Sequence, residues 1–289
     1  MKNSTNWFIN RFSKILISSS LLFFLYSCKK DDNPNPFITI PDQNFEKELI
    51  DAKIDKDGII NGQMNAEDAV GVKRINVYEK KIEDLTGIEA FTDLEYLQCS
   101  YNQISTLNVE KNIKLKQFYC SSNNLSSLNV TKNVLLEDFQ CGFNPLTKLD
   151  ISNNSALVKV YCFANDLTEL DVSKNLNLEM LACSSNPLRI LDVNSNKKLS
   201  SLNVSFCKLE ILNITGITSL RGLNCGSNKL TTLNLSTNKN ISSLVCSDNQ
   251  ITNICVDDIN EAIKKTTIFN NTGFHDWIKD SFTTFITCQ

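Results

Sequence analysis

The sequence has little histidine and no recognisable catalytic motif. His275 is the single histidine among 289 residues, although histidine is the commonest metal ligand and a frequent general base in proteins. We expect His275 to lie at the surface or in a C-terminal cap. No nucleophile motif, metal-ligand cluster or phosphate-binding loop occurs in the sequence. We therefore predict that the protein is not an enzyme and that it uses no metal ion or cofactor.

The sequence also lacks a long apolar run and a cluster of basic residues. Its longest apolar stretch runs from Ile15 to Tyr26. This stretch is too short, and too interrupted by serine, to be predicted as a membrane-spanning segment. Three basic residues precede this stretch, as in a secretion signal: Lys2, Arg11 and Lys14. Removing residues 1–27 leaves 26 basic against 32 acidic residues, a net charge of −6. Such a mildly acidic chain argues against nucleic acid as a partner.

What the sequence does contain is a repeated unit of 21 residues, clearest at 94–114 and 115–135. Stepping by 21 from Cys99 reaches Cys120, Cys141, Cys162, Cys183, Val204, Cys225 and Cys246. The asparagine three places later keeps the same register at Asn102, Asn123, Asn144, Asn165, Asn186, Asn228 and Asn249, with Cys207 as the single substitution. An earlier copy of 22 residues begins at Ile75, so the sequence predicts nine similar structural units.

Each unit contains a short segment in which apolar and polar residues alternate, as in Leu97-Gln98-Cys99. The apolar face of such a strand is buried and the polar face is exposed to solvent, but a single unit of 21 residues cannot bury its apolar face alone. Stacking the units as parallel strands, about 4.8 Å apart, turns the leucine and cysteine columns into a continuous core. The asparagine column can satisfy backbone groups in the turn after each strand. A second apolar pair, as in Leu107-Asn108-Val109, leaves little room for helices.

The repeated pattern L-x-x-L-x-C-x-x-N-x-L-x-x-L-(N/D)-V resembles the leucine-rich repeat. The segments 40–45 and 254–258 are similar to the opening and the closing cap of Bacteroidetes surface proteins that carry such repeats. The resemblance covers about Phe37 to Cys288. It implies a β-dominated leucine-rich repeat solenoid, with a curved parallel sheet of about nine rungs on its concave face. It also implies a binding module, because proteins of this kind are usually regarded as adhesion or recognition modules for proteins or glycans.

We predict five parts of the chain: a signal peptide at 1–27, a linker with an export tag at 28–36, an N-terminal cap at 37–74, the repeats at 75–256, and a C-terminal cap at 257–289. Caps are required because the open ends of a solenoid would expose its core. The N-terminal cap should contain a short helix, since Asp42 can cap its start and Phe45 and Leu49 follow at helical spacing. The C-terminal cap should be irregular.

The segment Leu25-Tyr26-Ser27-Cys28 resembles a bacterial lipoprotein box, which implies cleavage before Cys28 and lipidation of that cysteine. Tyr26 departs from the usual small residue, so an ordinary cleaved signal is the alternative. The following Lys29-Lys30-Asp31-Asp32 is similar to the tag that sends Bacteroidetes lipoproteins to the cell surface. A solvated linker is the alternative there. The implied location is the outer membrane, facing outward, with the lipid as the membrane contact.

Eleven cysteines in an exported protein raise the question of disulfides. The seven in the strand column should face the core side by side, and we interpret them as small buried hydrophobic residues rather than as disulfides or metal ligands. Cys255 and Cys288 lie outside the 21-residue register. The resemblance to the closing cap of the repeat proteins implies a disulfide between these two.

The segment Asp55-Lys56-Asp57-Gly58 resembles part of a calcium-binding loop of the EF-hand type. The match is poor, because Lys53 and Met64 stand where the first and last acidic ligands belong. An ordinary Asp-Gly turn is the alternative to a calcium site at this place.

The outward positions of the predicted strands hold the candidate ligand-binding residues. Aromatic side chains gather on the N-terminal half of the predicted concave face and are interspersed with glutamine and aspartate. The candidates are Tyr78, Tyr96, Gln98, Tyr101, Tyr119, Asp138, Gln140, Phe143, Tyr161 and Phe163. Aromatic rings give a large contact area for little lost entropy, so the patch could recognise a protein or a glycan. The alternative is that the rings stack on one another and only stabilise the sheet.

The leading hypothesis from the sequence is a lipid-anchored surface module that recognises a protein or a glycan through its concave face. The alternative is a structural envelope lipoprotein without a dedicated ligand. We expect a monomer, because the caps should cover the edge strands at both ends of the sheet.

Overall fold

The computed structural model describes residues 36–267 and 277–288. The chain separates into two units, Met1–Pro34 and Asn35–Gln289, and the described residues belong to the second unit. Cys28, the export tag and His275 lie outside the described residues. Within the two described ranges, no helix has the length and apolar character that crossing a membrane requires.

The described chain consists almost entirely of short strands. In chain order the strands and helices are β1 (Phe37–Thr39), α1 (Gln43–Asp51), β2 (Gln63–Asn65), β3 (Arg74–Asn76), β4 (Tyr96–Gln98), β5 (Gln117–Tyr119), β6 (Asp138–Gln140), β7 (Lys159–Tyr161), β8 (Met180–Ala182), β9 (Ser201–Asn203), β10 (Gly222–Asn224), β11 (Thr232–Asn234), β12 (Ser243–Val245), β13 (Asn253–Val256), α2 (Ile259–Thr267), β14 (Trp277–Ile278) and β15 (Thr284–Thr287). Short 3-10 turns lie at Ala66–Ala69 and Ile88–Ala90.

Ten strands form one sheet, in the order β14, β12, β10, β9, β8, β7, β6, β5, β4, β3, and every pair in it is parallel. Between β4 and β12, each strand residue pairs with the residue 21 positions later, as Leu97 does with Phe118 and Phe118 with Phe139. Nine of these strands come from the nine predicted units, and β14 adds a tenth from the C-terminal cap. The predicted parallel solenoid of about nine rungs is confirmed.

The core lies directly behind this sheet. The middle residue of each strand and the cysteine that follows it point inward, as Phe118, Cys120, Phe139 and Cys141 do, and all four are fully buried. The eight cysteines of the repeats are buried and carry no disulfide. Burial disfavours the thiolate and raises the pKa of Cys162 to about 12. Burial raises the pKa of the other six cysteines of the strand column too, so these seven behave as small apolar side chains and are poor nucleophiles.

The side chains of the predicted asparagine column form hydrogen bonds with backbone groups in the turns that follow the strands. The side-chain amide of Asn165 donates to the carbonyl oxygens of Cys141 at 3.1 Å and Cys162 at 3.0 Å. Its oxygen accepts from the backbone N–H of Leu146 at 3.1 Å. Each such asparagine thus bonds to its own turn and to the preceding repeat. The column replaces hydrogen bonds that the buried turn could not obtain from water.

The structure contains a second column of buried asparagines that was not predicted from the sequence. It consists of Asn112, Asn133, Asn154, Asn175, Asn196 and Asn238, all almost fully buried. The amide of Asn154 donates to the carbonyl oxygens of Val130 and Asn133, at 3.0 and 2.8 Å. The side-chain oxygens of all six residues have no hydrogen-bond partner within the described chain. These asparagines repeat at the same 21-residue spacing, each three residues after an apolar position such as Val109 or Val130.

The convex side is extended, but its segments pair only near the C-terminus. Among the described residues, a second parallel sheet joins β11, β13 and β15. In the earlier repeats the corresponding segments, such as Leu107-Asn108-Val109, form no strand. This difference is consistent with a curved solenoid, in which convex segments lie further apart than the strands of the concave sheet.

The N-terminal cap is a helix that is tied to the first repeat. Asp42 caps α1 by accepting from the backbone N–H groups of Asn44 and Phe45, at 2.9 and 3.0 Å. Its second oxygen accepts from the N–H of Glu83 at 2.7 Å. Phe45 is completely buried in the core. One carboxylate therefore starts the helix and also holds it against the solenoid.

The C-terminal cap is more regular than the sequence suggested. It contains the helix α2 and adds one strand to each sheet, β14 to the concave sheet and β15 to the convex one. The helix packs against both added strands. Of the apolar residues of α2, Ala262 is buried and Ile263 is 47% exposed. The sequence analysis did not predict this helix.

Candidate aromatic site on the concave face

All ten candidate residues lie on the strands of the concave sheet or directly after them. Tyr96, Gln98, Tyr119, Asp138, Gln140 and Tyr161 are half-buried strand residues on β4 to β7. The other four, Tyr78, Tyr101, Phe143 and Phe163, follow the strands β3, β4, β6 and β7. Tyr78, Tyr101 and Phe143 are 41, 53 and 56% exposed. We call these ten residues the aromatic patch.

The backbone turns sharply after each strand, at a residue in the left-handed conformation. Tyr101 has φ 61°, and Phe143 and Phe206 have φ 54° and 56°. The same position has positive φ in Ser122, Ala164, Ser185, Ser227 and Asp248. Residues with a side chain rarely adopt this conformation, and the sequence carried no glycine to signal it. At this turn Tyr101 and Phe143 are both more than half exposed.

A line of contacting polar and aromatic side chains crosses the first four strands. The guanidinium carbon of Arg74 lies 3.8 Å from the centre of the Tyr96 ring. The Tyr96 and Tyr119 rings meet edge to face, with centres 5.6 Å apart. The Tyr119 hydroxyl donates to Asp138 at 3.1 Å, and the Gln140 amide donates to the same carboxylate at 3.4 Å. These five side chains form one connected surface.

Burial and the charge of Asp138 together raise the pKa of the Tyr119 hydroxyl, so it remains a hydrogen-bond donor at physiological pH.

Arg74 is part of this surface but was not among the candidates from the sequence. Arg74 precedes the first copy of the repeat, which is one residue longer than the others, and so it fell outside the aligned pattern. Pairing with Tyr96 in the sheet places it beside the aromatic patch.

Two further ring pairs lie beside this line. The Tyr78 and Tyr101 rings are 5.1 Å apart, and Phe143 and Phe163 meet edge to face at 5.1 Å. Gly142 makes the second pair possible, because a Cβ atom there would lie 3.0 Å from the Phe163 carbonyl oxygen and 3.1 Å from its ring. The rings therefore contact one another in pairs and do not form a single stack along the ladder.

The second half of the concave face is different in character. On β9 and β10 the outward positions hold small or polar residues, namely Ser201, Asn203, Gly222 and Asn224. The ten residues of the aromatic patch thus lie on the first half of the sheet, and beyond them Phe206, after β9, is a further exposed ring at 61%. Tyr161 marks its boundary, since its hydroxyl lies 3.4 Å from the sulfur of Met180 on the next strand.

The fold has close counterparts among solved structures. The functional domain of InlJ from Listeria monocytogenes, which includes a cysteine ladder, is 26% identical with a TM-score of 0.63, covering 85% of this chain and 62% of that one. The chain has the leucine-rich repeat fold. A leucine-rich repeat protein of Leptospira interrogans is 21% identical with a TM-score of 0.53, covering 64% of this chain and 57% of that one.

Internalin C2 of Listeria monocytogenes is 16% identical, with a TM-score of 0.56, and the match covers 75% of this chain and 94% of that one. The chain spans less than two thirds of the InlJ domain and of the Leptospira leucine-rich repeat protein. No family model and no curated protein matches the chain.

No group of three histidine, cysteine, aspartate or glutamate side chains is arranged to hold a metal ion in the part of the chain that the structure describes. In the N-terminal cap, the Asp57 carboxylate accepts hydrogen bonds from the backbone N–H of Ile59 at 2.8 Å and from the Asn61 amide at 3.1 Å. This is the geometry of an ordinary aspartate turn. Asp55 is only 2% exposed, so its carboxyl group is buried.

Asp55 gives the N-terminal cap a pH-dependent stability. Burial, and next the charge of Asp57, raise the pKa of Asp55 from 3.8 to about 6. Between these pH values the folded chain keeps a proton that the unfolded chain has released. The stability that the protonated carboxyl contributes is fully present below the unfolded pKa and is lost as pH rises through about 6.

We expect Asp55→Asn to stabilise the protein by up to about 3 kcal/mol well above pH 6, and by little below the unfolded pKa. Asparagine has the shape of the protonated acid and cannot ionise. Urea unfolding across this pH range measures the effect. Asp51→Asn is the matched control, because Asp51 is exposed and its ion pair with Lys47 is a surface pair of small value. Parallel pH profiles for wild type and Asp55→Asn would contradict this account.

Cys255 and Cys288, the two cysteines outside the 21-residue register, lie at the C-terminal end of the solenoid. Cys255 lies on β13 and Cys288 follows β15, and the two are joined by a disulfide with Cα atoms 5.1 Å apart. This is the pair that the resemblance implied. The bond holds the last two strands of the convex sheet together.

Proposed function

We propose that the protein is a non-enzymatic binding module that recognises another protein through the aromatic patch. The observation that carries this proposal is the concentration of exposed aromatic rings on the first half of the concave face, where Tyr78, Tyr101 and Phe143 are each more than 40% exposed. Contiguous exposed apolar surface on a soluble domain marks interaction sites. Tyrosine and arginine are also the residues that most often dominate binding energy at protein interfaces.

The geometry of the patch supports a preorganised surface. Arg74, Tyr96, Tyr119, Asp138 and Gln140 hold one another in place through the contacts described above. Side chains that are already ordered lose little conformational entropy on binding. The positive charge of Arg74 and the negative charge of Asp138 stand at opposite ends of this line, and such charges give an interface its orientation and specificity.

A pair of double variants tests the patch. Tyr101→Ala/Phe143→Ala removes two exposed rings, and Ile190→Ala/Ile211→Ala removes two exposed apolar side chains from the convex side as the matched control. Binding is measured by surface plasmon resonance against an array of purified extracellular proteins and a glycan array. We expect one or more protein ligands, weakened about tenfold or more by the first double variant and unaffected by the second.

Three outcomes oppose the proposal. Ligands only on the glycan array would identify the patch as a carbohydrate site. Equal weakening by both double variants would place the binding surface elsewhere. Absence of any ligand, together with a lowered melting temperature of Tyr119→Ala and Tyr161→Ala, would favour a structural envelope lipoprotein whose rings only stabilise the sheet.

Lipid anchoring at Cys28 and display on the outer surface of the cell complete the proposal. Both rest on the sequence at 1–32, outside the described residues. Protease treatment of intact cells tests the location, with lysed cells as the digestion control. We expect wild type to be digested, and a variant with Lys30, Asp31 and Asp32 replaced by alanine to be protected. Protection of both would place the protein inside the envelope and remove most support for an extracellular partner.

A further inference from the structure

Cys207 is the free cysteine of the repeats that lies outside the strand column. It occupies the asparagine position of its repeat, three residues after Val204, and its side chain is fully buried. Its thiol donates to the carbonyl oxygen of Cys183, in the preceding repeat, at 3.3 Å. The thiols of Cys207 and Cys183 are also joined by a hydrogen bond. The substitution of asparagine by cysteine has therefore brought two free thiols of neighbouring repeats into direct contact.

The sulfur of Cys207 also takes the place of an oxygen that accepts hydrogen bonds. In the next repeat, the side-chain oxygen of Asn228 accepts from the backbone N–H groups of Cys207 and Leu209, both at 3.0 Å. At Cys207 the equivalent acceptor is the sulfur, which receives the backbone N–H of Asn186. Donors that point at a sulfur stabilise its thiolate, because a hydrogen bond to a charged acceptor is stronger than one to a neutral acceptor.

These contacts make the two thiols unlike. The hydrogen bond with Cys183 lowers the pKa of Cys207, although burial opposes the change, and the N–H of Asn186 lowers it further. The same bond between the thiols, together with burial, raises the pKa of Cys183. All of the other free cysteines of the described chain have a raised pKa. Cys207 therefore has the largest fraction of thiolate among them, and the thiolate is the form that reacts with oxidants.

The burial of this thiol pair limits which oxidant can reach it. Cys183 and Cys207 are both 0% exposed, so an oxidant has to enter the core during a brief local opening. A charged molecule would lose its hydration there at a large cost in free energy. Hydrogen peroxide is uncharged and not much larger than water, whereas oxidised glutathione is bulky and charged. The position of the pair therefore favours a peroxide over a disulfide as the oxidant.

We propose that Cys183 and Cys207 are a peroxide-sensitive thiol pair that closes a disulfide between neighbouring repeats. The Cys207 thiolate attacks one oxygen of hydrogen peroxide, so that an S–O bond forms and the O–O bond breaks. The departing hydroxide takes up the proton that Cys207 released and leaves as water. The result is a sulfenic acid at Cys207.

The Cys183 sulfur then attacks the Cys207 sulfur of the sulfenic acid. The S–S bond forms, the S–O bond breaks, and the departing hydroxide takes the Cys183 proton to become a second water. Two thiols and one peroxide thus yield one disulfide and two waters, with the sulfurs oxidised and the peroxide reduced. The disulfide joins the repeats of β8 and β9. This reaction is independent of the aromatic patch and of the protein partner proposed for it.

Peptide mapping of the folded full chain tests this pairing. The chain is treated with hydrogen peroxide, its remaining thiols are blocked with N-ethylmaleimide in urea, and it is digested with trypsin without reduction. Cleavage after lysine and arginine places Cys183 in the peptide 175–189 and Cys207 in the peptide 199–208. Mass spectrometry should detect these two peptides joined by a disulfide. Any other new cysteine pair should be at least about tenfold rarer, as should the linked peptide after treatment with oxidised glutathione.

Three variants separate the roles of the two sulfurs. Cys207→Asn restores the residue of the asparagine column and should form no linked peptide. Cys183→Val introduces the residue that the next repeat has at Val204, so peroxide should leave a sulfenic acid at Cys207, which dimedone captures. Cys162→Val, in the same column one repeat earlier, is the matched control and should form the linked peptide as wild type does. Circular dichroism and melting curves confirm that each variant is folded.

The proposal is overturned if peroxide produces no linked peptide from the folded wild type, or if Cys141 and Cys162 become linked to the same extent. It is also overturned if dimedone labels the remaining cysteines of folded Cys183→Val as strongly as it labels Cys207.

Discussion

Replacing Phe139 with alanine is expected to lower the free energy of unfolding by about 3–5 kcal/mol. Phe139 is fully buried at the centre of β6, and its ring stacks on that of Phe118, with centres 5.6 Å apart. Alanine removes most of the buried side chain and leaves a space between two rungs. The rungs cannot close this space, because the backbone hydrogen bonds between parallel strands fix their spacing.

Urea unfolding followed by circular dichroism measures this loss. The matched control is Phe139→Leu, since leucine occupies the same position of other repeats at Leu97, Leu181 and Leu202. We expect the leucine variant to lose about 1.5 kcal/mol or less. Equal stability of wild type and Phe139→Ala would mean that neighbouring repeats repack around the site, and would contradict a rigid ladder.

Replacing Asn165 with alanine should lower the free energy of unfolding by about 3 kcal/mol. The change removes the amide that donates to the carbonyl oxygens of Cys141 and Cys162, and the acceptor for the N–H of Leu146. All of these backbone groups are buried or nearly so. Because water cannot reach them, each lost bond leaves an unsatisfied group at close to its full desolvation cost.

The chain contains its own control for this variant. Cys207 stands at the asparagine position of one repeat, where its thiol donates to the carbonyl oxygen of Cys183 at 3.3 Å. The N–H of Leu188, which has lost its asparagine acceptor, bonds instead to the carbonyl oxygen of Asn186 at 2.9 Å. We therefore expect Asn165→Cys to lose about half as much stability as Asn165→Ala. A larger loss for cysteine than for alanine would show that the substitution at Cys207 depends on its own altered turn.

The aromatic patch was only partly predictable. Alternation within each strand assigned Tyr96, Tyr119 and Asp138 to the outward face, because successive side chains on a strand point to opposite sides. The contacts among them depend on the lateral position of one strand beside the next. That register brought in Arg74, which the longer first repeat had hidden. The orientation of Phe163 over Gly142 likewise depends on two different repeats.

The buried asparagines show the same limit. The column that contains Asn165 was recognised because it follows the cysteine column at constant distance in sequence. The column that contains Asn154 repeats just as regularly, three residues after the apolar column that contains Ile151, but it was not predicted. Its burial depends on the closure of the convex turns around the core, which is a property of the assembled solenoid.

The repeat period, the number of rungs, the inward-facing columns and the outward-facing positions of the strands all follow from the sequence alone. The reason is that a strict repeat of 21 residues makes every unit bury the same positions. The tertiary structure alone decided which side chains meet across rungs, and how the C-terminal cap closes. It also placed Trp277 beside Leu244 in the concave sheet, although 33 positions separate them in the sequence. The physical reason is that a repeat specifies interactions between equivalent positions of neighbouring units, whereas a site between unlike segments exists only after the whole chain has packed.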